Sequence, residues 1–232
     1  MGEDRSRQGA QSRGEVTDAG QRFQFYGRRK GKTLRRHHSA LMEDLLPRLR
    51  VRLDDPLSGL GERRWLEIGF GGGEHLAHQA ALHADVSFIG AEPFVNGVAK
   101  LLALIEDGSL ENIRIHDHDA RVLLEALPDA AFERIYLLYP DPWPKARHNK
   151  RRFVSAETLA HFHRILKPDG LFLFASDIDD YVAWTRDHVT ASGLFREEGD
   201  PSQPYEDWIE TRYEAKARRE GRGSAYLQFR PV

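Results

Sequence analysis

The sequence predicts an α/β domain built on a mostly parallel sheet. Short apolar runs alternate with amphipathic helical runs from residue 61 to the C-terminus, and this alternation is typical of strand–helix–strand units. A glycine-rich segment, GFGGGE, joins the first apolar run to the first helical run, and such turns let backbone N–H groups approach a ligand. Acidic residues follow several apolar runs, at the strand ends where parallel sheets bind ligands.

The composition of the 232 residues excludes several kinds of site. The chain has no cysteine, which rules out disulfides, thiolate zinc sites and a cysteine nucleophile. Its eleven histidines show no metal-ligand spacing, so no metal is expected. The formal net charge is −2, so a nucleic-acid partner must be inferred from clustered charge. No apolar stretch approaches the ~20 residues of a membrane span, and the polar N-terminus predicts a cytoplasmic protein.

Three parts of the chain differ in composition. Residues 1–22 are polar and predict a disordered tail. Residues 23–60 hold a basic, aromatic segment, FQFYGRRKGKTLRRHH, and then an apolar pattern of helical spacing for which Ser39 is a possible cap. Residues 61–232 carry the alternating pattern and form the main predicted domain.

The elements of the main domain follow in a regular order. Six runs are predicted as strands: RRWLEI, VSFIGAE, IRIHDHDA, ERIYLLYPDPW, LFLFASD and AYLQFRPV. Five runs are predicted as helices: EHLAHQAALHA, VNGVAKLLALIEDG, RVLLEALPD, AETLAHFHRILKPDG and DDYVAWTRDHVTASG. We expect the second of these helices to end at its glycine and the fourth to be stopped by Pro168 and Gly170.

The sequence of the glycine turn argues against a dinucleotide cofactor. Glycines occupy positions 69, 71, 72 and 73, but position 74 is Glu. The dinucleotide fingerprint requires a third glycine there, and an acid at a helix N-terminus repels a pyrophosphate. The turn therefore favours a cofactor that carries less negative charge.

Four acids at successive strand ends favour a cationic ligand that contains a ribose. They are Glu67, Glu92, Asp119 and Asp141. An acid after the second strand binds a ribose diol in folds of this kind, and the sulfonium, ammonium and ribose of S-adenosylmethionine suit such a set. A single acid of this kind is often only a helix cap, and a glycine turn is often only structural, so the inference depends on their occurring together.

The segment YPDPWPKARHNKRR, residues 139–152, combines a rigid acid with a basic run. Asp141 lies between two prolines, which restrict its backbone, and five Lys or Arg follow within the eight residues from Lys145 to Arg152. Such cations suit phosphates, although a charge run is also compatible with a solvated surface. Trp143 suits either stacking on a base or support of the loop.

These motifs together resemble one known family. From about Phe23 to the C-terminus, the chain resembles the tRNA (guanine-N7)-methyltransferases of the bacterial TrmB type. The resemblance is carried by LEIGFGGGEHL, GAEPF, HDA, YPDPWPKARHNKRRF, LKPDGLFLFASD and TRYE, of which the fourth is the most specific. It implies a Rossmann-like class I fold that depends on S-adenosylmethionine, with helices on both faces of the sheet, and methylation of N7 of a guanine in the tRNA variable loop, position 46.

The resemblance also implies roles for individual positions. The cofactor-binding positions are Glu67, Gly69, Gly71, Glu92, Asp119 and Asp141, and Asp141 is also the catalytic position. The substrate-binding positions are Lys145, Asp177, Thr211, Arg212, Tyr213 and Glu214. The RNA-binding positions are Arg147, His148, Asn149, Lys150, Arg151 and Arg152. We expect a monomer or homodimer without an obligate partner subunit; Pro144 departs from members that have His or Lys there.

Two other functions are compatible with parts of the pattern. An S-adenosylmethionine enzyme acting on a protein or small-molecule amine also uses an acid–proline–aromatic turn, but it would not need the basic run. A catalytically inactive RNA-binding subunit would need that run, but it would not need the full set of acids.

Overall fold

A computed structural model of the chain describes Phe23 and residues 25–232, so the predicted tail at residues 1–22 lies outside the described residues. Its centre is a seven-stranded sheet with the order β3-β2-β1-β4-β5-β7-β6. The strands are β1 Arg64–Ile68, β2 Ser87–Ala91, β3 Ile113–His116, β4 Phe132–Leu138, β5 Leu166–Ser176, β6 Phe195–Glu198 and β7 Ala225–Pro231.

Strands β1 to β5 pair in parallel, while β7 runs antiparallel to both β5 and β6. In β1, Ile68 is opposite Ala91 of β2 and Leu137 of β4. The chain therefore leaves all three strands at the same edge of the sheet, where ligands bind in folds of this kind.

Helices cover both faces of the sheet. They are α1 Arg36–Asp44, α2 Leu46–Leu49, α3 Glu74–Leu82, α4 Val95–Gly108, α5 Ala120–Ala126, α6 Ala156–Ile165, α7 Asp179–Ser192 and α8 Arg212–Arg219. The side chains of neighbouring residues in a strand point to opposite faces, so Trp65 packs in the core under α1 to α4 and Leu66 in the core under α5 to α7. This arrangement confirms the predicted fold class. Within the part of the chain that the structure describes, no helix is long and apolar enough to cross a membrane.

The end of the fourth predicted helix is wrong. Helix α6 ends at Ile165, and the segment from Lys167 to Gly170 belongs to β5. Pro168 and Gly170 are tolerated there because the register between β4 and β5 is irregular at this point. Proline excludes the helix, as expected, but the strand begins five residues earlier than the apolar run LFLFAS indicated.

Several boundaries also differ from the prediction. Helix α1 begins at Arg36, so Ser39 lies within the helix and does not cap it. Helix α4 includes Gly108, and the left-handed capping residue is Ser109. Strand β4 ends at Leu138. Strand β6 and helix α8 were not predicted, because both are short and polar.

A capping box fixes the start of α6, directly after the basic loop. The Ser155 hydroxyl accepts a hydrogen bond from the backbone N–H of Thr158, and the Thr158 hydroxyl accepts one from the backbone N–H of Ser155. Both contacts satisfy N–H groups that have no partner within the helix.

We expect Ser155→Ala to lower the free energy of unfolding by about 1 kcal/mol, the usual effect of losing a cap. Urea unfolding followed by circular dichroism would measure it. Ser58→Ala, on an exposed turn, serves as the control. A Ser155 variant as stable as the control would show that the box contributes nothing.

Candidate active site

A cavity of about 570 Å³ opens at the carboxyl ends of β1 to β4. Ligand sites in proteins usually have volumes of roughly 300–1,000 Å³. The walls of the cavity include the glycine turn, three of the four predicted acids and the loop after β4. Among the residues that line it are Gly69, Gly71, Glu92, Asp119, Asp141, Trp143, Lys150, Arg151 and Tyr213. The structure therefore brings most of the predicted cofactor positions together around one space.

The glycine turn presents bare backbone to the cavity. Gly69 and Gly71 have φ values of 71° and 59°, in the left-handed region that side chains disfavour. Gly69 donates its N–H to Ala91 O at 2.8 Å, which fixes the turn against β2. A β-carbon on Gly69 would contact no atom within 4 Å, so the space above this residue is open to a ligand.

Glu92 organises the turn from the end of β2. Its two carboxylate oxygens accept hydrogen bonds from the backbone N–H of Gly71, at 2.8 Å, and of Phe94, at 2.9 Å. Burial of the side chain raises the pKa of Glu92 above its ordinary value, although the two backbone hydrogen bonds oppose this shift. Each oxygen has a further lone pair, so the carboxylate can also accept from the hydroxyls of a ribose.

Asp119 lies at the N-terminus of α5, where it accepts a hydrogen bond from the backbone N–H of Arg121. The Arg121 guanidinium also pairs with its carboxylate at 2.5 Å. Burial disfavours ionisation of Asp119, but the hydrogen bonds from Arg121 outweigh it, and the pKa of Asp119 is lowered. Asp119 is therefore an ionised acceptor beside the cavity.

Glu67 has a different position from the other three acids. It is buried, and one carboxylate oxygen lies 2.7 Å from His75 Nδ1. His75 contacts the rings of Tyr136 and Trp208. Glu67 and His75 line a narrow cleft of about 20 Å³, which shares Gly69, Tyr139 and Tyr213 with the wall of the larger cavity.

The loop that carries Asp141 has an unusual backbone. Tyr139 and Trp143 have φ values of 49° and 45°, and residues other than glycine adopt such values at a cost, often at functional sites. Asp141 is accessible to solvent but faces the cavity, and partial burial there raises the pKa of Asp141. The two strained residues, on either side, fix the direction of this carboxylate.

Arg152 is a buried residue that stabilises this loop and does not contribute to its exposed surface. Its side chain is buried, donates to Pro142 O at 2.9 Å and pairs with Asp180. The guanidinium also lies over the rings of Tyr181 and Trp184, about 5 Å from each centroid. This geometry argues against the predicted RNA contact for Arg152 and assigns its charge to the packing of the loop.

The remaining basic residues of the loop differ in their exposure. Residues 146–151 form a 3-10 helix, and Lys145, Arg147 and Lys150 are exposed, while His148 and Asn149 are half-buried. The Arg151 guanidinium lies between the rings of Tyr26 and Trp143, at 4.5 and 4.9 Å from their centroids. Trp143 also meets Tyr26 edge-on, so the structure uses Trp143 to support the loop.

The segment TRYE, residues 211–214, begins α8 on the opposite wall. The Thr211 hydroxyl accepts from the backbone N–H of Glu214. Glu214 accepts from Trp208 Nε1 at 2.7 Å and from the hydroxyl of Tyr226, which fixes the segment to β7. Tyr213 is half exposed and stacks on Tyr139, with 6.2 Å between ring centroids.

Asp177, at the end of β5, is held by a partner distant in sequence. Arg222 donates to its carboxylate from Nε and Nη2, at 2.9 and 2.7 Å. Arg222 was not singled out in the sequence, because no local pattern connects residues 45 positions apart. The predicted substrate position therefore already has a cationic partner.

The basic N-terminal arm forms another wall that the sequence did not place. Phe25 and Tyr26 line the cavity. The arm is fixed by hydrogen bonds from Val95 N to Arg29 O, at 2.9 Å, and from Gly31 N to Asn96 Oδ1, at 2.7 Å. The aromatic residues within FQFYGRRKGK were the available signal, since a solubilising tail does not need them.

Comparison with known proteins agrees with this geometry. A family described as "Putative methyltransferase" matches residues 62–227. The tRNA (guanine-N(7)-)-methyltransferase of Rhizobium johnstonii is 53% identical, covering 95% of this chain and 97% of its own. The enzyme of the same name from Rhizobium meliloti is 54% identical, covering 89% and 94%.

Solved structures support the fold alone. The aminoglycoside resistance methyltransferase NpmB1 aligns with a TM-score of 0.57 at 18% identity, covering 79% of this chain and 95% of its own. The antibiotic-resistance methyltransferase Kmr aligns with a TM-score of 0.52 at 17% identity, covering 76% and 89%.

The sheet order, the glycine turn and the acids at the strand ends define a class I methyltransferase that uses S-adenosylmethionine. Within that class, the chain belongs to the tRNA (guanine-N7)-methyltransferase family. The residues present fit the cofactor: Glu92 has free lone pairs for a ribose, and the bare glycine backbone leaves room for the ligand.

The raised pKa of Asp141 predicts that its charge destabilises the fold. Because the folded protein holds this proton more tightly than the unfolded chain, stability from this group is lost as pH rises through the folded pKa. We expect Asp141→Asn to raise the melting temperature slightly at pH 7, and this gain to vanish as pH falls toward about 4, the ordinary aspartate pKa.

Thermal unfolding from pH 4 to pH 8 would measure the gain, with Asp187→Asn, exposed on α7, as the control. A gain that is independent of pH would show that the effect does not come from the carboxylate charge.

Proposed function

We propose that the protein transfers a methyl group from S-adenosylmethionine to N7 of the guanine at position 46, in the variable loop of tRNA. The observation that carries this proposal is the loop of residues 139–152, in which a carboxylate faces the cavity beside exposed cations. The relatives named tRNA (guanine-N(7)-)-methyltransferase support the same target atom.

Methylation of guanine N7 requires little from the protein except alignment of the two reactants. N7 has a free lone pair, so neither a general base nor a covalent enzyme intermediate is required. The cofactor, when bound, supplies an electrophilic methyl group on a sulfonium. Holding nucleophile and electrophile in line accounts for much of the acceleration that such sites achieve, and the glycine turn and Glu92 would hold one side of that alignment.

Asp141 would act on the charge that the reaction moves. The guanine becomes cationic as the methyl group arrives, and a fixed carboxylate favours that charge in a site shielded from water. Asp141 also has acceptor oxygens for the N–H donors of the base edge. Asp141 is exposed to solvent, and we propose that it acts in its ionised form.

The tRNA would lie across the basic loop and α8. We propose that Lys145, Arg147 and Lys150, which are exposed, contact phosphates, since such contacts position a nucleic acid. We propose that Asp177, directly after β5, and residues of the segment TRYE contact the guanine. To bind the base, Asp177 would give up part of its ion pair with Arg222.

The setting of the reaction follows from its substrate. A tRNA-modifying enzyme of this kind would work in the cytoplasm, as a monomer or homodimer without an obligate partner subunit. Purified protein should therefore be active on its own, and light scattering during size-exclusion chromatography would give its mass in solution.

The target atom can be identified directly. Unmodified tRNA incubated with the protein and S-adenosylmethionine labelled in the methyl group should yield labelled 7-methylguanosine after nuclease digestion. The same tRNA carrying adenine at position 46 should yield none. Label in another nucleoside would overturn the proposed target atom, and label on the protein or on a small amine would favour one of the other functions.

The acid and the exposed cations of the loop should have separable effects. Asp141→Ala should reduce the single-turnover rate by about 100-fold or more, by analogy with other groups that stabilise transition-state charge, while tRNA affinity stays equal or improves. Arg147→Ala with Lys150→Ala should weaken tRNA binding by about 10-fold but keep the rate at saturating tRNA, because phosphate contacts mainly position the substrate.

Filter binding and single-turnover kinetics on both variants would test this separation. Glu43→Ala, an exposed acid on α1, is the control for loss of a negative charge. An Asp141→Ala enzyme with the wild-type rate would reduce Asp141 to a turn residue.

A further inference from the structure

Arg212 lies directly on the glycine turn, from the opposite wall of the site. A β-carbon placed on Gly71 would lie 3.2 Å from Arg212 Nη2, and one placed on Gly72 would clash with the same atom. The guanidinium thus occupies the space that these two glycines leave free. Its charge also favours the ionised form of Glu92, although burial, the larger effect, raises the pKa of that residue.

The charges around the turn make such a cation necessary. S-adenosylmethionine is positively charged at sulfur and nitrogen, but its amino-acid end also carries a carboxylate. If that end were bound at the turn, it would lie near the acids Glu67, Glu74 and Glu92. A carboxylate placed among like charges is strongly disfavoured unless a cation pairs with it. Arg212 is the arginine that lines the same narrow cleft as Glu67 and Glu74.

The backbone around Arg212 is fixed, which directs its side chain. Thr211 caps the helix through the N–H of Glu214. The Glu214 carboxylate is held by Trp208 and Tyr226, from two other parts of the chain. Arg212 lies between Thr211 and Glu214 in the chain, and its side chain reaches across to the glycine turn. Its position therefore does not depend on its ion pair with Glu74.

In this structure Arg212 pairs with a carboxylate, which is the same chemical group that we expect it to bind in the cofactor. Arg212 Nη2 lies 3.4 Å from Glu74 Oε2, and both side chains are 40% or more exposed. An ion pair this long and this exposed contributes little to stability. The guanidinium can therefore exchange the Glu74 carboxylate for another one at little cost.

We propose that Arg212 binds the methionine carboxylate of S-adenosylmethionine and gives up its contact with Glu74 to do so. The family resemblance placed Arg212 among the positions that contact the RNA substrate; the geometry at the glycine turn assigns it to the cofactor. The inference rests on the use of S-adenosylmethionine in the proposed function, and it makes TRYE a segment in which one residue serves the cofactor and its neighbours serve the base.

The test compares two ligands that differ in the amino-acid end. S-adenosylhomocysteine carries the carboxylate, whereas 5′-methylthioadenosine keeps the adenosine and the sulfur but lacks the carboxylate and the amine. Arg212→Ala should weaken S-adenosylhomocysteine by about 10- to 100-fold in calorimetric titration, the effect of losing a charge-assisted hydrogen bond. The same variant should bind 5′-methylthioadenosine as the wild type does.

Two further variants sharpen the result. Arg218→Ala removes a cation from the same helix that pairs with Glu210 away from the turn, and it should change neither ligand. Arg212→Lys should recover part of the lost affinity for S-adenosylhomocysteine, because the charge remains while the paired geometry is lost. Circular dichroism of each variant would verify that α8 is retained.

The outcomes separate this inference from the proposed function. Equal losses for both ligands would mean that Arg212 only shapes the pocket, and unchanged S-adenosylhomocysteine affinity with weakened tRNA binding would return Arg212 to the RNA; either result overturns the inference. A wild-type protein that binds neither ligand would instead overturn the use of this cofactor.

Discussion

The parallel pairing of β1 with β2 and β4 is the constraint on which the site depends. Parallel strands leave the sheet at one edge, and the strand order reverses on either side of β1, which opens a crevice there. The turn after β1, Glu92 after β2 and Asp141 after β4 therefore face one cavity although 72 positions separate Gly69 from Asp141. Glu92 strengthens this convergence because its carboxylate accepts hydrogen bonds from two loops at once.

A loop whose cations face a ligand needs other contacts to hold its backbone in place. In the loop of residues 139–152, one arginine of the basic run provides these contacts. Arg152 is buried between two rings, donates to Pro142 and pairs with Asp180. A buried guanidinium is costly unless it is paired and hydrogen-bonded, and these contacts meet that condition. The strained backbone at Tyr139 and Trp143 can persist because Tyr139 donates its N–H to Ala175 O and Arg152 donates to Pro142 O.

The sequence predicts the parts of this molecule that have local signals. Alternating apolar and amphipathic runs predicted six strands and the helices between them, and the glycine turn and strand-end acids predicted the cavity. What it did not predict depends on partners distant in the chain. Arg152 lies in the same basic run as Lys150 and is distinguished from it by its contacts with Pro142 and α7, and the pairing of Asp177 with Arg222 has no local sequence signal. Helix α8 is short and polar, and its place is fixed by Trp208 and Tyr226.

The distribution of charge explains how a protein of net charge −2 can handle a polyanion. The acids Glu92, Asp119 and Asp141 line the cavity, while the cations Lys145, Arg147 and Lys150 are exposed on the loop after β4. In the proposed reaction a positive charge would develop on the base as the methyl group arrives, and the Asp141 carboxylate would favour that charge. After transfer the base would be cationic, and the exposed cations of the loop would oppose its retention. The same fixed charges that align the substrate would then assist release of the product.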